Sequence, residues 1–308
     1  MKAVRIHQFG GPEVIKLEDL PRPQIAPDEV LVRVRASSVN PVDYKIRQGG
    51  YLPVDALPII LGRDVAGVIE QAGAEVSAFT VGEGVYALLG RDRGGHAQYV
   101  AVKAVDCALK PERLDFVAAA AVPLAGLTAW QGLFDQGGLV AGQRVLIHGA
   151  AGGVGHFAVQ FARARGAEVF ATCSEADRDL VRGLGAAVVI DYQHERFEDR
   201  VEQVDLVFDL IGGETQARSW SVLKAGGVLV STLKQPDPGL AAAARATGKH
   251  YMAQPNGAQL TEIAGLIDQQ KVTPHITRVY PLEQAALAEA ALEHDHLVGK
   301  VVLSVAEA

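Results

Sequence analysis

The stretch HGAAGGVGHFAVQFARARGAEV, residues 148–169, has the layout of a phosphate-binding turn opening a helix. The dinucleotide fingerprint G-x-G-x-x-G does not fit it cleanly. Read from Ala150 the pattern is A-x-G-x-x-G, from Gly149 it is G-x-x-G-x-x-G, and from Gly153 it is G-x-G-x-x-A. The surroundings say more than the register. The apolar run RVLIHG (144–149) reads as a strand and HFAVQFARARG (156–166) as a helix, which is the setting the fingerprint requires. Glycine lets the backbone approach a pyrophosphate, and the helix start offers unpaired N–H groups and the positive end of its dipole. Whichever register holds, the turn 149–155, with Gly152, Gly153, Val154 and Gly155, is the stretch expected to meet a phosphate. The bland alternative is a tight turn with no ligand.

Outward from this turn, strands and helices alternate. EVFATCS (168–174) is a strand, and EADRDLVRGLG (175–185) is a helix with a glycine stop. VVID (188–191), DLVFDLIG (205–212) and GVLVSTL (227–233) are further strands. Strands spaced by helices of this length mean βαβ units and a parallel sheet, so the fold class is α/β. The segment AAAAVPLAGLTAWQGLF (118–134) reads as helix broken at Pro123, and the first 115 or so residues read differently. There EVLVRVRASSV (29–39) alternates apolar and charged residues, the pattern of a strand with one wet face, and DVAGVIEQAG and GVYALLG are short strands ending in glycine turns. That part is expected to be a mostly antiparallel β domain. GAQLTEIAGLIDQQK (257–271) is an amphipathic helix, TRVYPLEQAALAEAALEHDH a strand then a helix, and GKVVLSV a closing strand that returns to the first domain.

The chain has 308 residues, enough for two domains of roughly 150 each. Apolar residues are 49% and charged residues 21%, which suits a packed globular core. A net charge of −7, with acids and bases interspersed, argues against nucleic acid or an anionic membrane as partner. MKAVRIHQFGG lacks an apolar core of signal-peptide length, and Phe116–Trp130 is too short and too broken to span a bilayer. Cys107 and Cys173 give neither a disulfide framework nor a clustered metal site, so a cytoplasmic setting is expected.

The end of the second strand of such a domain decides the cofactor. Asp or Glu there binds a ribose 2′-OH. Here that region holds Cys173, Ser174 and Glu175, with Arg178 one turn on. Serine and arginine suit a 2′-phosphate, which needs donors and positive charge, so NADPH is expected over NADH. Glu175 dissents, unless it is only an acid in the first turn of the next helix.

The chain resembles the medium-chain dehydrogenase/reductase superfamily, in its zinc-independent quinone oxidoreductase branch with zeta-crystallin and the plant enone reductases. The resemblance is carried by MKAVRIHQFGGPEVI, SSVNPVDYKIRQG (37–49), LGRDVAGVIEQAG (61–73), AAAVPLAGLTAWQGL (119–133), HGAAGGVG and GKVVLSV. It implies a GroES-like β-barrel domain over residues 1–120 and 270–308 and a Rossmann domain over 121–269, with the cofactor in the cleft between them. It implies NADPH-dependent hydride transfer to quinones or activated C=C bonds, and commonly a homodimer. Zinc-dependent members carry cysteine where SSVNPVD stands, His-Glu where Arg63-Asp64 stands, and a four-cysteine lobe absent from Gly84–Gly95. No metal is therefore expected. Arg63 and Asp64 are expected to form an ion pair, and His294-x-His296 a solvated turn.

By the same resemblance Asn40, Asp43 and Lys45 line the cleft near the nicotinamide and Tyr51 faces the substrate. Lys45 is the candidate for stabilising charge on the acceptor oxygen, with Asp43 orienting it or the turn. Each has a plainer role: a turn for Asn40, a solvated lysine, a packing tyrosine. Thr128 and Trp130 are expected at the nicotinamide end, and Tyr192 near the adenosine. Ile211, Gly212, Thr232, Leu233, Pro255 and Asn256 are expected along the cofactor. Two other readings compete: an alcohol or aldehyde dehydrogenase, and a non-catalytic NADPH-binding protein of the crystallin kind.

Overall fold

The short alternating runs of the N-terminal third pair as strands in the computed structural model, which describes residues 1–306. They are β1 (Lys2–Ile6), β2 (Lys16–Asp19), β3 (Glu29–Val39), β4 (Ile59–Ile60), β5 (Asp64–Ala72), β6 (Gly84–Leu88), β7 (Tyr99–Lys103) and β8 (Cys107–Leu109). Helix α1 (Pro41–Arg47) lies between β3 and β4, and α2 (Phe116–Ala120) follows β8. The chain then alternates through α3 (Pro123–Trp130), β9 (Arg144–His148), α4 (Gly155–Ala164), β10 (Glu168–Cys173), α5 (Arg178–Leu184), β11 (Val188–Asp191), β12 (Val204–Asp209), α6 (Gly213–Ser219), β13 (Leu223–Ser231), α7 (Pro238–Ala243) and β14 (Thr247–His250). It closes with α8 (Gly257–Asp268), β15 (Ile276–Pro281), α9 (Ala285–His294) and β16 (Lys300–Ser304).

Two units result. The first holds Met1–Leu124, Gln254–Gln269 and the residues from 274 onward. Its main sheet runs β15-β16-β3-β5-β6-β8, with β7 also on β3, beside a small sheet β2-β1-β4. All pairs are antiparallel except β15–β16, which α9 joins as a crossover. Closing strand β16 pairs with the C-terminal half of β3, as the sequence leads one to expect. The wet face expected of β3 is not found: only Arg33 and Arg35 reach solvent in part, and the other nine residues are buried. Alternation misleads because β3 is a central strand. It is paired along both edges, and α2 packs against it.

The second unit holds Ala125–Ala253 and Gln270–Thr273. Its sheet order is β11-β10-β9-β12-β13-β14, all parallel. In order of appearance that is 3-2-1-4-5-6, the doubly wound order of a Rossmann domain. The division differs from the sequence-based boundaries at α8, which goes with the first unit rather than the nucleotide-binding one. Tyr86 there donates its hydroxyl to Leu260 O at 2.6 Å, and Arg113 N donates to Asp268 at 3.1 Å. Residues 270–273 return to the second unit because Gln160 bonds both the N–H and the carbonyl of Thr273, at 2.8 and 3.0 Å. Among the described residues no helix is long and apolar enough to cross a membrane.

Candidate functional site

In the second unit the turn after β9 has the form a phosphate needs. Gly155 is required by packing. A Cβ there would stand 2.1 Å from Gly149 O and 2.7 Å from the Ala150 Cα. The Ala150 methyl is fully buried and its N–H bonds Thr172 O at 3.0 Å, so the residue in place of the first glycine is part of the core. The amides of Gly153, Val154 and Gly155 open α4 and bond no carbonyl among the described residues. These are the orphan donors of a helix start. A Cβ on Gly152 would meet only Gly149 O, at 3.4 Å, so its lack of a side chain leaves open space rather than relieving a clash.

Beneath this turn the strands end in a rung of polar residues. Thr172, His148, Asp209, Ser231 and His250 are in register on β10, β9, β12, β13 and β14. The sequence shows only a polar residue at each strand end; their alignment is tertiary. Asp209 fixes the next loop. One carboxylate oxygen accepts Ile211 N and Gly212 N at 3.0 and 2.8 Å, and the other accepts Gln216 and Ser231 side chains at 2.9 and 3.0 Å. His148 stands 3.0 Å from both Thr172 Oγ1 and Ser219 Oγ. Ser219 spends its hydroxyl proton on Thr215 O, so His148 Nε2 is the donor and Nδ1 the acceptor. Burial pushes the imidazole down to about 4, with Asp209 pulling the other way, and the ring is neutral.

The expected cofactor residues lie in different environments. Ser174 follows β10 and gives its hydroxyl to Asp177 at 2.6 Å. Arg178 pairs with Glu195 at 2.7 Å and Glu175 at 2.9 Å. Glu175 is thus more than an acid in the first helical turn: it is a partner of the arginine. Cys173 is buried at the strand end, and burial pushes its thiol up to about 11, which leaves it unreactive. Tyr192 and Ile211 are exposed, Leu233 too, while Thr232 is half-buried. Trp130 packs in the core of this unit. Its ring meets Phe134 and Phe161 edge-on at 4.9 and 5.5 Å, with the Arg165 guanidinium 5.0 Å from its centre. Thr128 is buried, and its carbonyl accepts the Tyr251 hydroxyl. Pro255 and Asn256 belong to the first unit, where Asn256 caps α8 by accepting Gln259 N at 2.9 Å.

In the first unit the segment 37–51 is organised around α1. Asn40 and Asp43 are buried, so neither is placed to meet a substrate directly. Asp43 accepts the Asn40 N–H at 2.7 Å, a helix-capping bond, and its other oxygen has no partner. Burial, and then the nearby Glu289 charge, push its carboxyl up to about 8. Asn40 gives its Nδ2 to Asp64 at 2.8 Å and accepts the Lys300 ammonium on Oδ1. Asp64 also accepts the Ser38 hydroxyl, and Leu124 N at 2.6 Å. Its cation is Lys300, 3.8 Å away, and not Arg63, which donates to Leu89 O at 2.6 Å. The expected Arg63–Asp64 pair is therefore replaced by Asp64–Lys300. Lysine on the closing strand gave no sign of this, because the two residues are far apart in the chain.

Lys45 is half-buried on α1 and its ammonium has no partner among the described residues. Tyr51 is 48% exposed, after a turn in which Gly50 N bonds Lys45 O at 2.9 Å. Of the four expected catalytic side chains, these two are free to meet a ligand. His294 and His296 are exposed, with His294 ending α9. No cluster of three His, Cys, Asp or Glu that could hold a metal is present among the described residues.

Comparison with known proteins agrees with this architecture. The alcohol dehydrogenase GroES-like domain model matches residues 26–112, and the zinc-binding dehydrogenase model matches residues 184–303. The chain is 38% identical over 316 residues to a chloroplastic NADPH-dependent alkenal/one oxidoreductase of Arabidopsis thaliana, spanning 98% of this chain and 79% of that one. The quinone oxidoreductase of Coxiella burnetii superposes with a TM-score of 0.91 at 35% identity, over 99% of both chains. A structure described as an NAD-dependent alcohol dehydrogenase superposes with a TM-score of 0.92 at 30% identity, over 99% of this chain and all of that one. With a GroES-like domain, a Rossmann sheet and relatives of this identity along its whole length, the chain belongs to the medium-chain dehydrogenase/reductase superfamily, in its zinc-independent quinone and enone oxidoreductase branch.

Proposed function

We propose that the chain uses NADPH to reduce quinones or the C=C bond of α,β-unsaturated carbonyls, without a metal. The turn 149–155 carries the reading. Three unpaired amides at the start of α4, beside a glycine that packing demands, fit a pyrophosphate. Gly152, Gly153, Val154 and Gly155 would hold the phosphates. Ile211, Gly212, Thr232 and Leu233 would run along the cofactor with Pro255, Asn256 and Thr128, and Tyr192 would meet the adenosine. Ser174 and Arg178 are the groups for a 2′-phosphate, which must compete with Asp177, Glu175 and Glu195 for them. Bound NADPH supplies the hydride.

The chain's own contribution is orientation and charge. As hydride reaches an enone β-carbon or a quinone, negative charge builds on the acceptor oxygen. Lys45 is an unpaired cation available to face that charge, and Tyr51 an exposed hydroxyl donor. A donor of this kind lowers the barrier by about 3 kcal/mol. Asn40 and Asp43 serve by holding α1. The names of the Arabidopsis and Coxiella relatives support alkenal, enone and quinone acceptors.

A screen of NADPH oxidation over quinones, enones and aldehydes tests this. Steady turnover with a quinone or an enone is expected, at a lower KM for NADPH than for NADH. Silence across the panel despite NADPH binding would favour the non-catalytic reading. NAD⁺ reduction by alcohols alone would favour the dehydrogenase reading, which the similarity to an NAD-dependent alcohol dehydrogenase keeps in play. A cytoplasmic homodimer without a nucleic-acid partner completes the proposal. Sedimentation checks the dimer, and metal analysis after dialysis checks that zinc stays below one per chain.

A further inference from the structure

Helix α1 has seven residues, too few to hold itself in water. Its C-terminal end is pinned by Arg47, which is fully buried. That guanidinium donates to Glu289 at 2.7 Å, to Glu293 at 2.8 Å and to Gly10 O at 2.7 Å. Its N-terminal end is pinned by Asn40, whose side-chain amide is spent between the Asp64 carboxylate and the Lys300 ammonium. Lys300 is 3% exposed, and Asp64 is fully buried. Asp64 accepts three hydrogen bonds, from Ser38 Oγ and Asn40 Nδ2 on Oδ2 and from Leu124 N on Oδ1, and its Oδ2 also forms the ion pair with Lys300. A lysine and a carboxylate kept out of water at such cost, so far apart in sequence, converge on the cap of the one helix that carries Lys45.

We propose that Lys300 and Asp64 are positioning residues for the reaction, which together fix the N-terminus of α1 and so the place of Lys45 and of the turn leading to Tyr51. This rests on the assignment of Lys45 to the acceptor oxygen. The hydrogen-bond order makes the device specific. The ammonium can only donate and the carboxylate can only accept, so the Asn40 amide has one orientation that satisfies both. Removing either charge allows the amide to turn and the cap to shift. A displacement of about 1 Å at a polarising group costs about 100-fold in rate.

The test uses the full chain with NADPH, with 3-penten-2-one and 1,4-benzoquinone as acceptors. The double variant D64N/K300M removes both charges together and avoids a lone buried ion. It should bind NADPH with unchanged Kd and lose about 100-fold in kcat. It should also exchange the amides of residues 42–47 faster than the wild-type protein does, while those of β3 and β5 exchange as in wild type. In a K45M background the same double change should add little to the loss, because the group it positions is gone. An equal loss with and without Lys45, or no loss, overturns the proposal. Should D64N/K300M fail to fold, K300R keeps the charge but enlarges the head. A reduced kcat that is absent in the K45M background supports positioning, and an unaltered kcat overturns it. Hydrogen exchange separates this failure from that of the functional reading. If wild type turns over neither acceptor, the function falls, and the α1 exchange rates alone then decide whether Lys300 and Asp64 fix the helix.

Discussion

The phosphate turn and helix α1 make opposite use of the chain. The turn presents backbone amides, and what it needs comes from residues within a few positions: a strand, a glycine whose Cβ would strike Gly149 O, and a helix start. Helix α1 presents side chains, and what it needs comes from elsewhere: Asp64 on β5, Glu289 and Glu293 on α9, Lys300 on β16. A site built of backbone can be read from consecutive letters. A site built of side chains depends on which distant residues neutralise one another.

The largest expected break falls on α1. Arg47→Met leaves Glu289 buried without its cation and should cost about 3–5 kcal/mol of stability in urea unfolding. Replacing Glu289 by methionine as well should recover most of the loss, and no recovery would mean that the arginine stem rather than its charge matters. On the turn, Gly155→Ala forces backbone against backbone and should weaken NADPH binding by at least about 100-fold, or about 2.7 kcal/mol, in a fluorescence titration. Gly152→Ala sharpens the contrast. Its methyl has room within the protein but would stand where the phosphate approaches, so NADPH affinity should fall about 10-fold with the melting temperature unchanged. Equal effects of the two alanines would contradict the distinction between a packing glycine and an approach glycine.

A smaller effect concerns pH. Burial holds His96 and His148 down to about 4, so each is neutral when folded but takes a proton near 6.5 when unfolded. Stability therefore falls as pH drops from about 6.5 towards 4. Asp43 runs the other way. Raised to about 8, it stays protonated in the fold while the unfolded chain is ionised, so the stability it contributes at low pH is lost as pH rises through about 8. The two histidines outweigh it on the acid side, and Glu289, also raised by burial, adds to its direction. The unfolding free energy from urea titrations should peak near pH 6.5 and decline by about 1.4 kcal/mol per pH unit up to about 8. Asp43→Asn should flatten that alkaline decline, and an unchanged slope would remove Asp43 as its source.

Much of the fold is legible in the letters. The alternation after residue 144 yields the parallel strands, and the expected return of the closing strand to the first domain is found in the β16–β3 pairing. Legibility fails where a residue's environment comes from sequence-distant neighbours. The pattern of β3 predicts a wet face, but pairing along both edges and α2 bury all of it except its two arginines. Trp130, expected at the nicotinamide end, packs against Phe134 and Phe161. Arg63 and Asp64 are adjacent and do not pair, while Asp64 and Lys300 do.

The sequence by itself determined the two-domain α/β class, the strand–turn–helix at 144–166 and the lack of clustered cysteine ligands, because periodicity, glycine placement and residue chemistry act over a few positions. The tertiary structure alone decided which carboxylate meets which cation, that α8 joins the first unit, and which of the expected catalytic side chains remain free. Burial and charge pairing depend on the distance between side chains in the folded molecule, and that distance is set by the packing of strands and helices whose separation along the chain carries no trace of it.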